Sequence, residues 1–430
     1  MHTLANGVTL LALSLPQAAV AHVSVFIRSG SAHEPVRLAG ISHLVEHMVF
    51  KGSATRSGRQ INLEAERLGA ELNAHTDKDH TAFHLSGLTE HAGDFVRMLA
   101  DLVLAPSFPA DELDRERGVV LQELADDEDD PTSAAYRLFD AACFGRHAIA
   151  RPVIGGERSL QAITRDDLLA YTRTRYTGCN MVVAMAGPWS PDELLAAAEP
   201  LFGAVPMGQP NTLAEVAYQG GLRTKTMAGG GQTQLMLGYA LPSLGVDDAR
   251  CQLAAALLGE GMSSPLLEQL RERRGLVYFA ASSADLRSPC GQFIIEASTA
   301  PAKLGEVLQQ TTRLLAVLAE RAQPKELARA RNQLRVRCLR QTEQPQRLME
   351  SLALDWLALG RLRGLPEQLR ALDSVSAGAV RTLFATLAGQ GASLALAGRL
   401  PRGLRPQLPG WMAVPLAAPL AKVTAGAAAR

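Results

Sequence analysis

The chain has 430 residues, 47% of them hydrophobic, and its 43 basic and 43 acidic side chains cancel. Such a chain can bury substantial cores and is long enough for two or more domains. Its balanced charge argues against a nucleic-acid or anionic-membrane binder, and it holds no run of 18 apolar residues of the kind that spans a membrane. Five scattered cysteines, Cys143, Cys179, Cys251, Cys290 and Cys338, match neither a disulfide framework nor a zinc ribbon. Reduced thiols and a start without a basic leader make a cytoplasmic protein the expectation.

In chain order, Asn6-Gly7 reads as a turn before a strand, and AHVSVFIRSG as a strand. A helix follows with His43-Leu44-Val45-Glu46-His47, then a helix at INLEAERLG, strands at ELNAHT and AFHLSG, and a long helix from Glu90 to Leu104. The segment 109–126 reads as a further helix, acidic in its first turn and apolar beyond. MVVAMAG closes this half as a strand.

From Gln232 the order recurs: a strand TQLMLGYA, helices DDARCQLAAALLGEG and SPLLEQLRERRG, strands VYFAASSA and GQFIIEAST, a long helix PAKLGEVLQQTTRLLAVLAER, and a closing strand ASLALAG. The fold class is therefore α+β, with two homologous α/β-sandwich domains related by internal duplication. Residues 1–210 are expected to form the first domain, 225–415 the second and 416–430 a mobile Ala-rich tail; the Gly- and Pro-rich stretch between the domains reads as a hinge.

Positions i and i+4 of a helix stack one turn apart, so His43 and His47 can reach a single divalent ion with Glu46 beside them. The order His-x-x-Glu-His is the inverted zincin signature. Such a site needs a third ligand. Glu116 and Glu123 share a face of the helix over 109–126, so either could bind metal while the other holds a ligand histidine by hydrogen bonding. All ten histidines lie at or before His147, so a metal site belongs to the first half. Leu72-Asn73-Ala74-His75-Thr76 reads as a sheet edge able to accept an extended peptide. His75, His80 and His84 read as ordinary solvated or core imidazoles. In LRERRGLVY, a guanidinium at Arg271 and a phenol at Tyr278 suit carbonyl binding and oxyanion stabilisation.

These motifs, with ERGVVLQE, GAELNAHTDKDHTAF, HAIARPVIGG and GEGMSSPLLEQLRERRGLVY, resemble the pitrilysin/insulinase family of zinc peptidases, especially short members related to the mitochondrial processing peptidase. The resemblance implies half of a metallopeptidase clamshell and one Zn2+ per chain. His43, His47 and Glu123 take the places of the zinc ligands, Glu46 that of the general base and Glu116 that of the supporting carboxylate. Asn73 and Ala74 fall on the substrate-binding strand, and Arg271 and Tyr278 on the pair that closes over the cleft. The implied function is endopeptidase action on peptides or unfolded precursor segments in an enclosed chamber, by a homodimer or a heterodimer with a related subunit. A heterodimer maturing a ribosomal or cofactor precursor and a non-catalytic scaffold subunit are the alternatives. Glu260 departs from the family, whose members often carry glycine in that turn.

Overall fold

The computed structural model describes residues 1–228 and 230–411, so the expected tail at 416–430 lies outside the described residues. The chain divides into two compact units. The first comprises Met1–Asp127, Arg151–Ala214 and Cys338–Leu365. The second comprises Glu128–Ala150, Glu215–Arg337 and the described residues from Pro366 onward.

In the first unit six strands, β1 (His2–Thr3), β2 (Thr9–Ser14), β3 (Val20–Ile27), β4 (Glu71–Thr76), β5 (Thr81–Leu88) and β6 (Met181–Gly187), form one sheet in the order β1-β2-β6-β3-β5-β4. Only β2 and β6 pair in parallel. Successive strand residues point to opposite faces, and both faces here are apolar. Val23, Val25, Ile27, Phe83 and Leu85 turn to one side. There they pack with α1 (Ile41–Val49), α2 (Gly58–Arg67), α3 (Ala92–Leu104) and α4 (Ala110–Asp129), through residues such as Leu44, Ile61, Phe95 and Val120. Leu11, Phe26, Ala82, Val182, Ala184 and Ala186 turn to the other side, where Met349, Ala353 and Leu357 of the helix Pro345–Leu359 cover them.

The second unit repeats the plan without β1. Its strands β7 (Gly221–Thr226), β8 (Thr233–Leu241), β9 (Val277–Leu286), β10 (Gly291–Thr299) and β11 (Ser393–Gly398) run β7-β11-β8-β10-β9, again with one parallel pair, β7 and β11. The duplication holds strand for strand. Helix α5 (Pro131–Phe144) packs on β7, β8 and β11, and so closely that a Cβ on Gly238 would stand 2.3 Å from Phe139 Cζ.

Each sheet thus takes one covering helix from the other half of the sequence. The contiguous ranges 1–210 and 225–415 are accordingly not the bounds of the compact units, because 128–150 belongs to the second unit and 338–365 to the first. The cause is the two-sided apolar pattern of the strands, which leaves a second face needing cover. The stretch read as a hinge also contains β7, an ordered edge strand in parallel register with β11.

Candidate metal centre

Helix α1 is positioned before any of its histidines is reached. Gly40 precedes it with φ 94°, and a Cβ there would lie 2.6 Å from Ile154 O, so glycine is required. The buried Glu34 carboxylate then accepts hydrogen bonds from Gly40 N at 2.7 Å and Ser42 N at 2.8 Å, satisfying amides that a helix start leaves without partners. Ile41, Leu44, Val45, Met48 and Val49 fix the helix by their burial. His43, Glu46 and His47 remain on the opposite side.

The two imidazole rings lie 4.7 Å apart between centroids. Glu123 on α4 brings its Oε2 to 3.9 Å from His43 Nε2 and 3.7 Å from His47 Nε2. Glu116, two turns earlier and buried, places Oε2 3.1 Å from His47 Nδ1, and its Oε1 meets Lys51 Nζ at 2.7 Å. A carboxylate on Nδ1 holds the proton there and turns the Nε2 lone pair toward Glu123. Burial, with His47 as a lesser cause, lowers His43 to about 4, so its imidazole is neutral at neutral pH. Two imidazole nitrogens and one carboxylate oxygen, all within 4.8 Å of one another, fit zinc in number and kind.

Glu46 lies close enough to His47 and Glu123 to feel their charges, and its Oε2 accepts a 2.6 Å hydrogen bond from Thr76 Oγ1. Burial raises its pKa, and the Thr76 hydroxyl pulls the other way. Thr76 ends β4, which has β5 as its one neighbour and is the edge of its sheet among the described residues. On that strand Asn73 is exposed and its Oδ1 accepts from Ala74 N at 2.8 Å.

In the second unit, the guanidinium carbon of Arg271 lies 5.5 Å from the Tyr278 ring centroid, a cation–π contact, and Tyr278 is 79% exposed. Glu260 stands in an ion pair with Arg337 at 2.6 Å, an anchor that a glycine turn would lack. The structure therefore gathers His43, Glu46, His47, Glu116 and Glu123 in one cluster, sets Asn73 and Ala74 on an edge strand, and pairs Arg271 with Tyr278. Three neighbours were missed in the sequence: Glu34, Lys51 and Thr76. Lys51 stands at i+4 from His47 and Thr76 closes the ELNAHT run, so spacing held a signal for both; Glu34 lies in a loop and had none.

Residues 9–157 match the model of the insulinase family, peptidase family M16, and residues 162–334 match that of the peptidase M16 inactive domain. An uncharacterised zinc protease of Mycobacterium leprae is 32% identical over 416 residues, covering 94% of this chain and 94% of its own length. The chain belongs to the insulinase (M16) peptidase family. An uncharacterised zinc protease of Bacillus subtilis is 30% identical over 400 residues, covering 92% of this chain and 97% of its own. The solved structure of a peptidase M16 inactive domain from Pseudomonas fluorescens shares the fold, with a TM-score of 0.84 at 22% identity over 93% of this chain and 98% of its own. As a member of this family, whose similar proteins are named zinc proteases, the protein takes Zn2+ as its metal. Within the described residues no helix is long and apolar enough to cross a membrane.

Proposed function

We propose that this M16 protein is a zinc endopeptidase that cuts extended or unfolded peptides, with His43, His47 and Glu123 as zinc ligands and Glu46 as general base. The observation that carries the reading is the division of labour on α1: two imidazoles converge on the Glu123 carboxylate, while the fourth functional side chain, Glu46, is held by Thr76. Zinc bound there supplies a Lewis acid that polarises a carbonyl and acidifies water. Glu46 takes the proton of the attacking water and delivers it to the leaving amine, and its partly desolvated carboxyl suits that exchange. Glu116 keeps His47 in the tautomer that presents Nε2. The edge of β4 supports backbone pairing with an incoming peptide, for which the Asn73 carboxamide would release Ala74 N. Arg271 and Tyr278, an exposed phenol in cation–π contact with a guanidinium, would orient the substrate and donate to the oxyanion.

The working site would sit in an enclosed chamber formed by two chains, as a homodimer or with a related subunit, and without nucleic acid or membrane as partner. Five free cysteines suit a reducing compartment and thus the cytoplasm. The test is to assay the purified chain and its variants on an unstructured peptide while measuring bound zinc and native mass. Glu46→Gln should keep zinc and lose cleavage by at least two orders of magnitude, whereas Glu123→Ala should lose zinc as well. Full cleavage by Glu46→Gln defeats the mechanism.

A further inference from the structure

The sheet face opposite α1 carries a second convergence of imidazoles. His75 on β4 stands across from Ala82, and Asn73 across from His84, so all of these face the helix Pro345–Leu359 rather than the metal cluster just described. The turn between β4 and β5 brings back His80, which is buried. His75 Nε2 lies 3.2 Å from His80 Nε2 and 3.4 Å from Oε1 of Glu350, which the Pro345–Leu359 helix contributes.

Those separations are informative. Zinc bonds to nitrogen and oxygen of about 2.0–2.2 Å in a tetrahedron put neighbouring donors about 3.3–3.6 Å apart. The far nitrogens are already engaged. His80 Nδ1 lies 2.8 Å from Asp79 Oδ1, and His75 Nδ1 lies 3.1 Å from His84 Nε2, whose own Nδ1 meets Ser24 Oγ at 2.7 Å. Metal-binding histidines ordinarily give the outer nitrogen an acceptor such as a carboxylate; Asp79 is in that place for His80, and the His84 imidazole nitrogen for His75. His75 and Glu350 are partly exposed, which leaves a fourth position open to water.

We propose that His75, His80 and Glu350 form a second site for a zinc-like divalent cation, distinct from the cluster on α1. The ion would clip the β4 edge to a helix supplied by a remote part of the sequence. It goes beyond the peptidase reading and does not depend on it. The rival is a relay needing no ion, in which Ser24, His84, His75, His80 and Asp79 pass hydrogen bonds along a line, each N–H meeting an acceptor.

Metal counting on the full chain separates the two. After chelation, the wild-type protein should take up two equivalents of zinc or cobalt(II), and a His43→Ala/His47→Ala variant should still take up one. In that variant cobalt(II) should give the intense visible absorption of a four-coordinate ion, and zinc should raise the unfolding midpoint by several degrees. Adding His75→Asn should abolish both, and the milder Glu350→Gln should weaken binding at least tenfold. Uptake of a single equivalent by wild type and none by His43→Ala/His47→Ala overturns the site and leaves the relay, whatever becomes of the peptidase activity. Unchanged affinity in both His75→Asn and Glu350→Gln overturns it equally.

Discussion

At the residue scale, Glu116 and Glu123 show what spacing decides and what it leaves open. Seven residues on a helix is two turns, so both glutamates share a face and the sequence makes either a ligand. Only distances separate them: Glu123 Oε2 approaches both Nε2 atoms, whereas Glu116 reaches His47 from behind and also meets Lys51. Glu116→Gln is therefore expected to fold and to weaken zinc 10- to 100-fold, the usual effect of losing a ligand's supporting partner. A zinc titration against a chelator measures this. Loss of all metal in Glu116→Gln together with unaltered binding in Glu123→Gln would exchange the two roles. Thr76 escaped the sequence reading for a related reason, since its contact with Glu46 joins a strand end to a helix that no linear spacing relates.

At the element scale, helix α1 depends on a carboxylate outside it. Burial pushes the Glu34 carboxyl up to about 7, opposed by the Ser42 and Gly40 amides and by Arg151. A group whose folded pKa is raised contributes stability that is full below its unfolded value near 4.5 and is lost as pH climbs through about 7. Stability should accordingly fall between about pH 5 and pH 7, by up to about 1.4 kcal/mol per pH unit, and the unfolding midpoint should drop with it and level off above pH 7. Glu34→Gln should flatten that slope, since its amide does not titrate, while losing one of the two caps. Equal slopes in thermal melts of the two proteins across this range would remove Glu34 from the account. Strand and helix identities were largely legible because their apolar periods are regular; β4, for example, coincides with ELNAHT. Glu34 was not, because a loop carboxylate that caps a helix several residues on leaves no periodic trace.

At the scale of the whole molecule, the duplication was readable from the order of elements, and the ownership of the covering helices was not. A repeat in sequence says that two sheets exist. It does not say which helix lies on which outer face, since Pro131–Phe144 and Pro345–Leu359 have similar lengths and both are partly apolar. A chain cut to residues 1–210 keeps every strand of the first sheet and loses the cover of Leu11, Phe26 and Val182. At about 1.5–3 kcal/mol for each large apolar side chain uncovered, the loss rivals the 5–15 kcal/mol that holds a typical domain together. Such a fragment should bind a dye for exposed apolar surface and melt without a sharp transition, and adding a peptide of residues 338–365 should restore cooperative unfolding. A fragment that melts as sharply alone as with the peptide contradicts the exchange.

The same exchange sets a clock on biosynthesis. The last strand of the first sheet, Met181–Gly187, leaves the ribosome well before the helix Pro345–Leu359 exists. At about 5–20 residues per second, the face that this helix will cover stays bare for on the order of 10 s. During that interval the nascent chain presents Phe26 and its neighbours to whatever else is nearby, so the first half cannot mature as an independent N-terminal domain would. Its completion waits for the helix Pro345–Leu359 to be synthesised, so translation rate and chaperone access, as well as local helix propensity, bear on the yield of folded protein.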